Sequence, residues 1–177
     1  MTQNHQTAIL LPILAGSLAV LCTILIHALA LMASVKLFRR ERKRGLAGSG
    51  FLPDLGIAVL TISFALVAHL IEIALWAALF VMCGEFKSLA IAYYHSAVNY
   101  TTLGYGDLVM TPSWKLLGPL EAADGALMFG VSTAMIFAIA QRLATKAAGK
   151  SGQHRLTRFK SRTNRNSKER PCPETYP

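Results

Sequence analysis

The first 35 residues contain no lysine, arginine, aspartate or glutamate, and over the whole chain acidic residues number only nine against 18 basic ones. An uncharged stretch of that length excludes an ordinary soluble amino-terminal domain and predicts burial in hydrocarbon. Cysteine is scarce: Cys22, Cys83 and Cys172 fall in the first apolar run, at the end of the second and in the tail. That spread excludes a disulfide framework, and no Cys/His cluster has zinc spacing. His5 and His95 stand without an identifiable nucleophile and acid beside them, so the chain reads as no enzyme and implies no cofactor. No internal repeat is visible.

What is present is apolar. Of 177 residues, 53% are hydrophobic and 15% charged, and the net charge is +9. Three runs, Ala8 to Val35, about 55–84 and about 116–143, each exceed the roughly 20 residues that cross a hydrocarbon core. Lys36, Arg39, Arg40, Arg42, Lys43 and Arg44 separate the first two runs, and ten more basic residues follow from Arg142 onward, together sixteen of the 18. Basic residues near a span resist translocation. Both clusters are therefore expected in the cytoplasm, with the N-terminus and the link between the second and third spans outside. A cleaved signal peptide is the rival reading of the first run, but "MTQNHQTA" lacks a positive n-region and cleavage would leave "KLFRRERKR" on the translocated side.

Between the second and third runs, "SLAIAYYHSAVNY" is apolar and aromatic but too short to cross. It reads as a half-length helix, residues 88–100, that enters and turns back, followed by "TTLGYGD", residues 101–107. Irregular backbone at membrane depth is tolerated only around a water-filled or protein-lined cavity. In an extended strand successive carbonyls point to opposite sides. Left-handed dihedrals at alternate residues bring them to one side, and glycine adopts these at little cost. Gly104 and Gly106 have that spacing. The carbonyls of Thr102, Leu103, Gly104 and Tyr105 can then form a column suited to a dehydrated cation, with Leu103 and Tyr105 side chains packing behind it. A cation cage wants roughly six to eight oxygens. One chain supplies a fraction of that, so the motif predicts a symmetric homotetramer.

Residues 101–107, preceded by a short helix and followed by a long apolar span, resemble the selectivity filter of potassium channels, and the resemblance covers about 55–143. It implies an all-α membrane protein with three transmembrane helices, a re-entrant pore helix and a filter, assembled as a tetramer that passes K+ passively. The implied K+ ligands are Thr102, Leu103, Gly104 and Tyr105, with Gly106 completing the filter. Thr101, Asp107 and Tyr94 support it, Tyr94 where the family often places an aromatic that hydrogen-bonds the aspartate. Gly125 and Gly130 resemble inner-helix glycines about which such channels bend, although close helix packing is the plainer use. Thr133 would face the cavity. Leu103 replaces the commoner valine, and Val98 stands where some members carry a buried glutamate.

His69 and Glu72 share a helix face in the second span, as Glu121 and Asp124 do in the third. Ionisable groups at membrane depth point to gating, proton sensing or a neutral polar brace. Glu121 and Asp124 could also raise local cation concentration or support the filter from behind. His27 reads as a further polar contact.

The expected organisation is an N-terminal segment with the first span (1–35), a basic cytoplasmic loop (36–54), the pore module (55–143) and a basic disordered tail (144–177). The expected partners are three further copies of the chain, K+ and membrane lipids. Anionic lipid is expected at the basic loop and tail, nucleic acid is not, and the expected location is a bacterial inner membrane. The consecutive arginines do not have the every-third spacing of a voltage sensor. The alternatives are a poorly selective cation channel and a non-conducting assembly or signalling subunit.

Overall fold

A computed structural model describes residues 2–45 and 50–168, with side chains described over 9–45 and 50–145. Four helices follow in chain order: α1 (Thr2–Lys43), α2 (Phe51–Met82), α3 (Leu89–Tyr100) and α4 (Leu117–Lys168). No strand occurs among the described residues. Three segments are long and apolar enough to cross a membrane, Ile9–Lys43, Phe51–Met82 and Leu117–Thr145. The protein is an all-α integral membrane protein. The 12 residues of α3 rise only about 18 Å, too little to span.

Membrane helices invert the usual pattern. On α1, Leu14, Leu18, Leu21 and Leu25 are exposed while Thr23, His27 and Ser34 are buried. The leucines recur at helical spacing and form a lipid-compatible stripe. Thr23 and His27 meet partners on α4 and α2, while the Ser34 hydroxyl donates to the Ala30 carbonyl of its own helix, so that no polar group is left to the lipid. One core cluster, including Trp76, Phe80, Ala92, Tyr100 and Leu117, joins α2, α3 and α4, with Ala19 of α1 against it. A second, of Phe38, Ile57, Ile139 and Leu143, holds the opposite ends of α1, α2 and α4 together. Close approach fixes two of these contacts. A Cβ on Gly16 would lie 2.8 Å from Leu120 Cδ1, and one on Gly125 would collide with the Tyr100 carbonyl oxygen.

The ends of α2 and α3 are built alike. At the first, Gly84 has φ +78°, its N–H donates to the Val81 carbonyl, and Glu85 N–H donates to the Phe80 carbonyl. This paired closure satisfies two carbonyls that the helix leaves unbonded. At the second, Thr102 has φ +59°, its N–H donates to the Asn99 carbonyl, and Leu103 N–H donates to the Val98 carbonyl. The geometry is the same, with a threonine in the place glycine usually takes.

The structure revises three expectations and places the first span. The basic cluster is not a loop, because α1 continues through Lys43; Lys and Arg are good helix formers and cluster in its last turns. The tail is not disordered from residue 144: α4 continues to Lys168, through a sequence rich in Lys and Arg, both good helix formers. The first span packs on α2 and α4, with its His27 and Thr23 buried in hydrogen bonds to Glu72 and Asp124. Glu121 and Asp124 are 0% and 2% exposed, so they are placed to brace helices and not to gather cations from solvent. Residues 46–49 of the glycine-rich loop and Cys172 lie outside the described residues, and Cys22 and Cys83 are free.

Candidate functional site

From Thr102 to Gly106 the backbone alternates. Thr102, Gly104 and Gly106 have φ of 59°, 60° and 72°, and no other residue between Thr101 and Asp107 has positive φ. The reversal at each second position is what allows successive carbonyls to share one side of the chain. For the two glycines it is cheap; for Thr102 it costs roughly 1–2 kcal/mol. The closing bonds of α3 hold that strain in place, and the Val98 carbonyl also accepts from Gly104 N–H at 3.2 Å. Residues 101–107 are all exposed in the single chain, Leu103 at 56% and Tyr105 at 66%.

The segment is anchored from behind. Tyr94 Oη donates to Asp107 Oδ2 at 2.8 Å, a bond that pushes the Tyr94 hydroxyl above its ordinary pKa because ionisation would face the carboxylate. His95 is buried, and burial holds its imidazole below the usual value against the pull of the Asp107 and Glu85 charges. Its Nε2 lies 2.9 Å from the Asn99 amide. Glu85, just after α2, accepts from the Thr111 N–H at 2.7 Å and from its hydroxyl at 2.6 Å, pinning the chain that leaves the segment. A cavity of about 340 Å³ lies between Gly104, Asp107, Met110, Lys115 and Gly118.

Beneath this lie the buried ionisable groups. Thr23 Oγ1 and Trp76 Nε1 both donate to Asp124 Oδ2, at 2.8 and 3.0 Å. The Ser96 hydroxyl lies between the Ile73 carbonyl, at 2.8 Å, and the Glu121 carboxyl. Among the described residues Asp124 Oδ1 and Glu121 Oε2 have no hydrogen-bond partner. His69 and Glu72 touch each other and reach three other helices: Glu72 contacts His27 and Tyr100, and His69 contacts Tyr100 and Ser132.

The residues read from sequence thus fall into two groups. Thr101 to Asp107 and Tyr94 are one exposed unit; His69, Glu72, Glu121 and Asp124 are buried supports. Gly125 packs against the end of α3, whereas a Cβ on Gly130 would meet nothing within 4 Å. Helix α4 is unbroken through both glycines. Thr133 is exposed and donates back to the Phe129 carbonyl at 2.8 Å. Sequence reading missed Thr23, Trp76, Ser96, Tyr100 and Ser132. Trp76 is one helical turn beyond Glu72, but no spacing within one helix announces a partner on another.

Residues 57–142 match the family described as ion channel. No curated protein and no solved structure matches the chain. The match begins in α2 and ends in α4, enclosing the short helix and the whole alternating segment, so that residues 57–142 are a two-transmembrane, pore-loop ion channel domain.

Proposed function

We propose that the chain forms a K+-selective pore as a homotetramer, with the carbonyls of Thr102, Leu103, Gly104 and Tyr105 as the ion's ligands. The observation that carries this reading is the left-handed alternation at Thr102, Gly104 and Gly106 inside an ion channel domain. A backbone strained at a threonine is kept only where surrounding structure or function demands it. The exposure of residues 101–107 in the single chain supports the fourfold assembly. The Tyr105 and Leu103 side chains are left more than half exposed by their own chain, and neighbouring copies around an axis would cover them. The carboxyl end of α3 adds a partial negative charge at the foot of the segment, which favours a waiting cation.

The N-terminus lies outside and both basic regions lie in the cytoplasm. Lys36, Arg39, Arg40, Lys43 and Arg44 line one groove, with Leu29, Met32 and Val35 beside it. Basic side chains next to an apolar belt suit anionic lipid headgroups. Gly125 and Gly130 give α4 its points of bending, and Thr133 faces the water-filled path.

Reconstitution into liposomes with a K+ gradient tests the reading. Wild type is expected to carry K+ and reject Na+, and Gly104→Ala is expected to lose the flux. Equal flux from both, or Na+ carried as well as K+, overturns it.

A further inference from the structure

Four helices meet at one closed loop of side chains. His27 Nδ1 lies 3.0 Å from Glu72 Oε1, and Tyr100 Oη contacts Glu72 Oε2. His69 Nδ1 lies 3.1 Å from Tyr100 Oη and 3.3 Å from Glu72 Oε2. Ser132 Oγ then closes the circuit, 3.1 Å from His69 Nε2 and 3.0 Å from His27 Nε2. None of the five side chains belongs to a residue more than 6% exposed.

The loop has five links, from His27 to Glu72, Tyr100, His69, Ser132 and back. Each needs one proton between its two heavy atoms. A neutral imidazole brings one N–H, tyrosine and serine bring one O–H each, and a carboxylate brings none. Two neutral histidines with an ionised Glu72 therefore supply four protons for five links. However these are arranged, one link sets lone pair against lone pair in a site that excludes water. A single added proton removes the conflict. Placed between His69 Nδ1 and the oxygens it faces, it leaves His69 Nε2–H to donate to Ser132 and the Ser132 O–H to donate to His27. His27 Nδ1–H and Tyr100 O–H then donate to the two oxygens of Glu72. The added proton also cancels the carboxylate charge, which a low-dielectric interior favours over a lone anion.

We propose that this loop is a binding site for one proton, and that its occupancy ties α1 to the pore helix. This deepens the channel reading, on which its functional consequence rests: Tyr100 immediately precedes Thr101, so a hydrogen bond broken in the loop frees the side chain that anchors the foot of the filter. The titratable groups facing it are His27 from α1, His69 and Glu72 from α2 and Tyr100 from α3. From α4, Asp124 lies within electrostatic reach of Glu72, His27 and Tyr100, and Glu121 within reach of Tyr100. Both are carboxyls, and any charge they carry favours the bound proton. Ser132, also from α4, is uncharged and is the hinge of the count.

The test is solid-state NMR of 15N-histidine-labelled protein in bilayers, with infrared spectroscopy of the carboxyl groups, across about pH 5 to 8. Signals of His27 and His69 are assigned with His27→Gln and His69→Gln. Wild type is expected to show one added proton, as an imidazolium at His27 or His69 or as a protonated Glu72 carboxyl, lost in a single step as pH rises. Ser132→Ala deletes two links and leaves three, which the remaining N–H and O–H groups fill, so the added proton is expected to be absent throughout. Two neutral histidines with ionised Glu72 in wild type at every pH overturn the proposal. So does an added proton that persists in Ser132→Ala, or a stoichiometric divalent metal held by the two imidazoles. If Ser132→Ala does not fold, the wild-type spectra alone decide. No readout involves ion flux, so failure of the potassium reading and failure of this one are separable.

Discussion

The exposed segment 101–107 and the buried loop around Glu72 lie end to end, joined by the peptide bond from Tyr100 to Thr101, yet they are stabilised in opposite ways. The buried loop is complete within one chain: every one of its polar groups meets another from the same chain, drawn from four helices. The segment is incomplete within one chain. Its strained backbone is anchored by Tyr94, Val98 and Asn99, but its own side chains are exposed. A structure that meets its hydrogen bonds internally needs no partner. One that leaves a strained, aromatic-bearing segment uncovered supports the proposed assembly. The first is a brace, and the second, on the proposed reading, is half of an interface.

Substitutions on each side sharpen this contrast. The largest effect is expected from Gly104→Ala, because a Cβ at φ +60° costs roughly 1–2 kcal/mol in each subunit of an assembly. K+ flux into liposomes is expected to fall more than about tenfold, while the helical content of the single chain, read by circular dichroism, stays unchanged. Loss of helix along with flux would erase the distinction between interface and brace.

Next is Gly125→Ala, which drives a methyl group into the Tyr100 carbonyl at the junction of the two regions. Overpacking of this kind costs typically about 1–3 kcal/mol, so a lower thermal midpoint in detergent and a loss of flux should appear together. A wild-type midpoint would show that α3 and α4 can part freely there.

Trp76→Phe tests the brace alone. It removes one of two donors to Asp124 Oδ2, in a carboxyl whose other oxygen already has no partner. The expected loss of stability is about 1–3 kcal/mol, measured by thermal unfolding, with ion selectivity retained in the protein that remains folded. The smallest effect is expected from Tyr94→Phe, which frees Asp107 on the exposed side. Thermal stability should stay at the wild-type value and flux should fall by less than in Gly104→Ala. An equal fall would mean that the anchor matters as much as the backbone it holds.

How much of this was legible beforehand follows the same division. The alternation at Gly104 and Gly106 could be read directly, because only glycine adopts that geometry at low cost. The third left-handed residue, Thr102, could not, since it is imposed by the closure of α3 on the Val98 and Asn99 carbonyls. His69 and Glu72 stood out as costly residues in a span. Ser132 did not, because a serine in a membrane helix can satisfy itself on its own backbone. The tail misled for a related reason: composition can show that a segment builds no core, yet strong helix formers still continue a helix already begun.

By itself the sequence determined the number of crossings, the expected side of each basic cluster and the place of the backbone that had to be irregular. These depend on properties of the chain alone: the length of apolar runs, the segregation of charge and the conformational freedom of glycine. Only the tertiary structure decided which polar groups meet. It made the first helix part of the core through His27 and Thr23, and it turned five scattered residues into one loop. Residues as far apart as His27 and Ser132, separated by 105 positions, leave no periodic trace of one another. Their pairing is fixed by helix packing in a medium that offers polar groups no other partner.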